Sequence, residues 1–331
     1  MFSIKGPECS TQIESYSFFN CTSLKNITLK ISCLGNSSFE NCYDLTSVIL
    51  SDELKQFEMR CFYNCHSLSI SIQNLENITL IGESSFENCF NLQKVQMNIN
   101  CPIDKNSFKN CKNLSSIELT GNISSIGISA FENCCNLKTA TISDNITIID
   151  EKAFSDCSCL ETLNIPENLI KIKSHAFSNC LNLSSDLVFP KTLVEINPYS
   201  FYRCINLRSI VILSNGISIR SSSFKNCSKL NSVTYYGIDR PYYYGKPFEN
   251  IATKYAFVTE NYSTFCDLDI RLIGYSSPSK PFSRSMKFTK SLPFSLSEEF
   301  SHSNAFSSTD YFSLSNEFTK SSYFKPTLIF T

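Results

Sequence analysis

Tryptophan is absent from this 331-residue chain, glycine is scarce at nine, and histidine occurs three times. With so few glycines there is little raw material for phosphate-cradling loops. The three histidines, His66, His175 and His302, stand in unrelated contexts and do not assemble with a nucleophile and a carboxylate into an acid–base set. His66 and His175 read as surface or turn residues. No Cys-x-x-Cys occurs among the 17 cysteines, which removes the usual spacing of a structural zinc site. No window of about 18 residues is apolar enough to cross a bilayer. The opening "MFSIKGPECSTQIESYSFF" has neither the apolar run nor the small-residue cleavage pattern of a secretory signal. Lys and Arg total 29 against 30 Asp and Glu, a net charge of −1 with no block of one sign, so nothing draws the chain to nucleic acid or an anionic membrane. The absences set the expectations: no enzyme, no cofactor, no metal, no nucleic-acid partner and no membrane span.

What the chain does have is self-similarity. An eight-residue frame recurs ten times, as "SFFNCTSL", "SFENCYDL", "CFYNCHSL", "SFENCFNL", "SFKNCKNL", "AFENCCNL", "AFSDCSCL", "AFSNCLNL", "SFYRCINL" and "SFKNCSKL". Its phenylalanines are Phe18, Phe39, Phe62, Phe86, Phe108, Phe131, Phe154, Phe177, Phe201 and Phe224, spaced by 21 to 24 residues and most often by 23. Its cysteines are Cys21, Cys42, Cys65, Cys89, Cys111, Cys134, Cys157, Cys180, Cys204 and Cys227. Each frame leads into L-x-x-[IVL]-x-[ILM], as in "LSSIEL" and "LETLNI", which reads as a short strand after a turn. Several periods add a second apolar pair, such as Ile123 and Ile126, before the next Phe. A unit this small cannot bury its apolar edge alone, so the period predicts a solenoid in which neighbours stack. The expected architecture is a stacked parallel β-sheet of about ten units with short helical or tight turns. The Phe and Cys positions become structural ladders, with free cysteine packing as a small hydrophobe. Cys135 has no counterpart in the frame and reads as a half-exposed thiol in a variable column.

The unit "[SA]FxNCxxLxxIxL" at 23 residues resembles the BspA-like branch of leucine-rich repeats, over roughly residues 13 to 270. The resemblance implies a surface-antigen type of protein, as found on bacteria and parasitic protists. It does not by itself specify a function, since one fold hosts many.

Four segments follow: a lead-in at 1–12, the leucine-rich-repeat solenoid at 13–234, a degenerate repeat with a Tyr-rich cap at 235–275, and a low-complexity tail at 276–331. Phe248 falls 24 residues after Phe224, as an eleventh turn would require. The Tyr235, Tyr236, Tyr242, Tyr243 and Tyr244 cluster suits an array cap that keeps its hydroxyls wet; an aromatic ligand site is the alternative. In the tail, phenylalanines fall at every sixth residue from Phe282 to Phe330, in a Ser-rich context expected to be disordered or extended. Ten N-x-[ST] sequons occur, but Asn and Ser are common enough here for chance to explain most, and Asn20 and Asn226 occupy frame positions expected to face inward.

Function then falls to the outward positions of the strands: Lys25, Thr28, Thr46, Lys94, Gln96, Ser116, Glu118, Lys138, Thr141, Glu161, Asn164, Arg208 and Val211. They are mostly polar and lightly charged, the composition of a face that binds a protein or glycoconjugate, or of a merely solvated one. Three readings stay open: an adhesion or protein-binding module at the cell surface, as the resemblance implies; an intracellular scaffold or unanchored family copy in the cytoplasm, as the missing signal and span imply; and a thiol enzyme using Cys134-Cys135.

Overall fold

The computed structural model describes residues 2–4, 10–260 and 262–273. Among them are 22 strands and no helix. Every pairing between named strands is parallel, and each joins a strand to its counterpart about one turn away, except the last, where Tyr255 and Asp269 are paired. The protein is thus a parallel β-solenoid of about ten turns. Each turn contributes a first, longer strand, a bend, a two-residue second strand and a tight turn at the Phe-x-Asn-Cys frame. The frame was open to a helical turn; it forms tight turns throughout.

The first strands stack as one flank. Phe2–Ile4 and Ser10–Ile13 both pair with Leu24–Leu34, which pairs with Ser47–Leu50. A second run comprises Ser71–Ile78, Lys94–Ile99, Ser116–Gly121, Thr139–Ile142 and Thr162–Leu163, and a third continues from Leu187–Phe189 through Ser209–Ile212, Ser232–Tyr235 and Tyr255–Val258 to Asp269–Leu272. The two breaks have one cause. In both turns that follow a break, the inward strand residue comes four places after the frame leucine (Leu68 to Ile72, Leu183 to Leu187), whereas Leu92 to Val95 and Leu207 to Ile210 are three. One extra residue interrupts the ladder. Before the second break the strand Thr162–Leu163 is cut short, and the Asn164 side chain extends its pairing to the preceding turn, accepting from the Ile142 N–H at 2.8 Å and donating to the Ile142 carbonyl at 2.7 Å.

The second strands form a narrower flank, six of them in series: Ser125–Ile126, Ile148–Ile149, Lys171–Ile172, Glu195–Ile196, Ser218–Ile219 and Tyr242–Tyr243. Between the flanks lies the core. Phe39 through Phe224 in the frame are all fully buried. From Phe18 to Phe248 each ring stacks on the next at 5.0 to 5.4 Å, eleven rungs in all. That spacing is close to the distance between paired strands, about 4.8 Å, so the backbone repeat sets the ring repeat. Phe248 therefore occupies an eleventh rung, 5.1 Å from Phe224. The Phe comb from Phe282 to Phe330 lies outside the described residues.

Candidate binding face

The turn edge explains why the frame reads Phe-x-Asn-Cys. Two residues per turn, four apart, adopt the left-handed backbone region, as at Asn106 (φ 55°) and Asn110 (φ 60°) or Ser129 (φ 55°) and Asn133 (φ 60°). Asparagine tolerates that region better than most residues with a Cβ. Its side chain also bonds along the axis: Asn64 Nδ2 donates to Asn41 Oδ1, Asn88 to Asn64 and Asn110 to Asn88, each at 2.7 Å. The expectation that Asn20 and Asn226 face inward is corrected. Asn20 is exposed and Asn226 half-buried, and both accept from the next rung's asparagine.

The cysteines do more than fill space. Each thiol from Cys42 to Cys227 donates to the carbonyl of the frame Phe one turn earlier, Cys134 Sγ to Phe108 O at 3.2 Å for example. The same carbonyl accepts the N–H of its own turn's cysteine, Cys111 N to Phe108 O at 3.2 Å. Both lone pairs of a buried carbonyl are satisfied. Burial pushes the Cys42 thiol up to about 12 and the deeper Cys65, Cys111 and Cys157 well above the ordinary thiol range. Cys134, buried and with its thiol pKa likewise raised by burial, cannot present a thiolate nucleophile at neutral pH. Cys21 departs from the ladder expectation: it is exposed.

Cys135 is half-buried, in a column that is not featureless. Three turns before it, His66 is sandwiched between Tyr43 (4.9 Å) and Phe90 (4.5 Å), and Lys112 caps Phe90 at 4.8 Å. His175 stacks on Tyr199 at 5.0 Å. Both histidines are half-buried, not freely exposed, and burial lowers the pKa of each.

On the long-strand face, register arranges the candidate residues in columns. Lys94 and Ser116 lie beside Thr139; Gln96 and Glu118 lie beside Thr141. Lys138 and Glu161 occupy the column one residue earlier, tied by Glu161 N to Lys138 O at 2.9 Å. Lys25, Thr28, Thr46, Lys138, Thr141, Glu161, Asn164 and Arg208 are exposed; Lys94, Gln96, Ser116 and Glu118 are half-buried. One expectation fails: Val211, in register between Val188 and Thr234, is only 3% exposed. Asn164 is outward and exposed as expected, and its amide is bonded to the Ile142 backbone.

The Tyr-rich segment divides. Tyr235 is fully buried; its hydroxyl donates to Asp239 O at 2.5 Å and accepts from the Gly216 N–H at 3.0 Å. Gly237 makes room for it, since a Cβ there would fall 2.2 Å from the Tyr235 hydroxyl. Tyr262, not anticipated from the sequence, adds hydroxyl contacts to Gly237 O and Ile238 O, and Phe265-Cys266 is buried beneath. Tyr242 and Tyr244 instead stand out from the short-strand flank, 73% and 74% exposed. There, Glu195, Asn197 and Tyr199 from one turn, Arg220 and Ser221 from the next and Tyr244 from a third wall an open cavity of about 460 Å³.

A parallel coil of 23-residue turns, with strands on one flank and Phe-x-Asn-Cys turns along an edge, defines a leucine-rich-repeat solenoid. The family model for the BspA type leucine rich repeat region matches in six copies across residues 1–102, 100–204 and 183–264, and the chain belongs to that family. Among solved structures it is similar to a leucine-rich repeat protein from Bacteroides ovatus, with 19% identity, 82% of each chain covered and a TM-score of 0.57, a likeness of fold. A leucine-rich-repeat protein of T. pallidum matches at 26% identity over 44% of this chain and 66% of that one, with a TM-score of 0.40. A leucine rich cell surface protein from Faecalibacterium prausnitzii matches at 22% identity over 75% and 84%, with a TM-score of 0.37. No curated protein matches the chain. No helix among the described residues is long and apolar enough to cross a membrane.

Proposed function

We propose that this is a non-enzymatic binding module of the surface-antigen kind, and that its long-strand face engages a protein or glycoconjugate. One observation carries the reading. All seven ion pairs among the described residues lie on the turn edge or the short-strand flank, such as Lys109–Glu132 and Lys173–Asp150. Lys94, Glu118, Lys138 and Glu161 alternate in sign along successive turns of the long-strand face, yet none takes part in those pairs. Lys94 donates to the neighbouring Gln96 at 3.1 Å, but charges on one face that are not neutralised by one another remain available to a partner, where they set specificity and encounter rate.

The test has two parts. Labelling intact cells with a membrane-impermeant reagent establishes whether the chain is displayed; an unlabelled chain assigns it to the intracellular alternative. Binding of the full chain to immobilised cell-surface glycoproteins is then compared with that of a variant carrying Lys94→Ala, Glu118→Ala, Lys138→Ala and Glu161→Ala. The expected result is at least tenfold weaker binding with unchanged circular dichroism. Equal binding removes the long-strand face from the reading.

A further inference from the structure

We propose a second site on the opposite flank: the cavity at the C-terminal end of the short strands binds an uncharged pyranose ring. The inference does not depend on the long-strand reading, because no residue is shared between them.

The cavity's volume, about 460 Å³, falls in the range of small-molecule sites. Its walls come from three successive turns, so it is two rung spacings, about 10 Å, across. Two aromatic rings border it that the core does not need. Tyr235 and Tyr262 already close the array end, whereas Tyr199 is 38% and Tyr244 74% exposed. One face of Tyr199 is covered by His175. The stack stops there, because the following turn places Ser222, not a ring, at that position. Tyr244 likewise ends a column, its N–H bonded back to Ile219 O at 3.2 Å. Ring faces of this kind suit the C–H face of a sugar, apolar on its flat side and polar at its rim.

The polar groups choose among ligands. Arg220 holds Glu195 Oε1 through Nε at 3.1 Å and through Nη2 at 3.0 Å, and Lys171 approaches the other carboxylate oxygen at 3.9 Å. Arg220 and Glu195 neutralise each other, so neither an anion nor a cation gains a net opposite charge here. Hydroxyl groups need no such charge. Two of the five guanidinium N–H donors are used on Glu195, and the carboxylate keeps lone pairs, so donor and acceptor stand side by side for groups that both give and accept. Asn197, which follows Ile196 as Arg220 follows its register partner Ile219, adds an amide to the same wall. A peptide adding as a strand is excluded here, because Glu195–Ile196 already has a parallel partner on each side.

The experiment is saturation-transfer NMR on the full chain with neutral methyl pyranosides of glucose, galactose, mannose and N-acetylglucosamine and their short oligosaccharides, with glucuronate as the charged control. At least one neutral sugar is expected to receive transfer at its ring C–H protons. Tyr244→Ala should weaken that binding at least tenfold while Tyr244→Phe retains most of it, and Arg220→Ala should weaken it as well. The four-fold long-strand variant should leave it unchanged. Absence of transfer to every neutral sugar, binding confined to glucuronate, or binding that survives both Tyr244→Ala and Arg220→Ala overturns the proposal.

Discussion

On the turn edge, the residue before the ladder cysteine is Asn or Asp in nine of ten frames, Arg203 being the exception, and its side chain is largely engaged by the neighbouring turn. On the long-strand face, the corresponding column runs Gln96, Glu118, Thr141, Asn164, Val188, Val211, Thr234, changing at every step but one. The same backbone repeat supports both. What recurs is what must bond to its own copy: the left-handed asparagine, the thiol under the phenylalanine carbonyl, the stacked ring. What varies is free of that requirement, and only there can one turn differ from the next in what it offers a partner. Asn164 marks the boundary, a variable position that a local register break has turned to structural use.

The largest effect that would sharpen this contrast is alkaline unfolding. Burial raises the thiols of Cys61, Cys65, Cys89, Cys111, Cys134, Cys157, Cys180 and Cys204 above their ordinary range. A thiol whose folded pKa exceeds its unfolded value keeps its proton in the native state while the unfolded chain loses it. Stability is therefore intact below about pH 8.5 and falls as pH rises toward the folded values, by about 1.4 kcal/mol per pH unit for each such thiol. Eight acting together would consume the ordinary stability of a domain, about 5 to 15 kcal/mol, within one or two units. Urea midpoints measured between pH 7 and 11 should be flat and then drop steeply. A midpoint still unchanged at pH 10.5 would mean that these thiols, Cys61 and seven of the ladder, are not buried as described.

Next in size is the ring ladder. Phe131→Ala removes a fully buried ring stacked at 5.1 Å on one side and 5.2 Å on the other, and should cost about 3 to 5 kcal/mol through lost transfer energy and the cavity. Phe18→Ala, at the partly buried first rung, should cost visibly less. Equal losses at the two positions would break the distinction between interior and terminal rungs.

How much of this was legible beforehand follows the same division. The recurrence of Phe and Cys at a fixed period pointed directly to the buried ladders, because burial constrains residue type at every turn. The asparagine was misread as inward. Its recurrence comes from backbone conformation and an axial side-chain bond, neither of which needs burial, and a recurring polar residue in an otherwise apolar frame was the available signal. The breaks in the long-strand flank fall at two of the three 24-residue spacings, Phe62 to Phe86 and Phe177 to Phe201 but not Phe224 to Phe248, because spacing alone does not say where in the turn the extra residue falls. The short-strand cavity was not foreseen at all. Asn197, Arg220 and Tyr244 follow register-paired residues in three successive turns, but the column changes residue type at every step and Tyr199 comes from the turn edge, so no recurring residue marked the site.

A smaller effect separates the two contributions of the asparagine ladder. Asn110→Ala loses the axial bonds to Asn88 and Asn133 and also places an alanine Cβ at φ 60°. The backbone cost alone is about 1 to 2 kcal/mol. Asn110→Gly keeps the backbone at ease and loses only the side-chain bonds, worth about 0.5 to 1.5 kcal/mol each. Alanine should therefore be more destabilising than glycine in chemical denaturation. The reverse order would show that the left-handed conformation is not what selects asparagine.

The smallest expected effect tests the long-strand column itself. Glu118 and Asn164 occupy equivalent outward places, two turns apart, and a sequence reading treats them alike. Glu118→Ala removes a half-buried, unpaired carboxylate and should stay within about 0.5 kcal/mol of the parent protein, as surface changes away from structural features do. Asn164→Ala leaves the Ile142 N–H and carbonyl without the partners that replace the interrupted strand, a loss of about 1 to 3 kcal/mol if water does not take over. Denaturation of the two single variants side by side, with binding measured on both, distinguishes a position that serves the fold from one left open to a partner. If Glu118→Ala proves as destabilising as Asn164→Ala, the outward column is structural throughout, and the division between repeated and variable positions no longer marks where a ligand can bind.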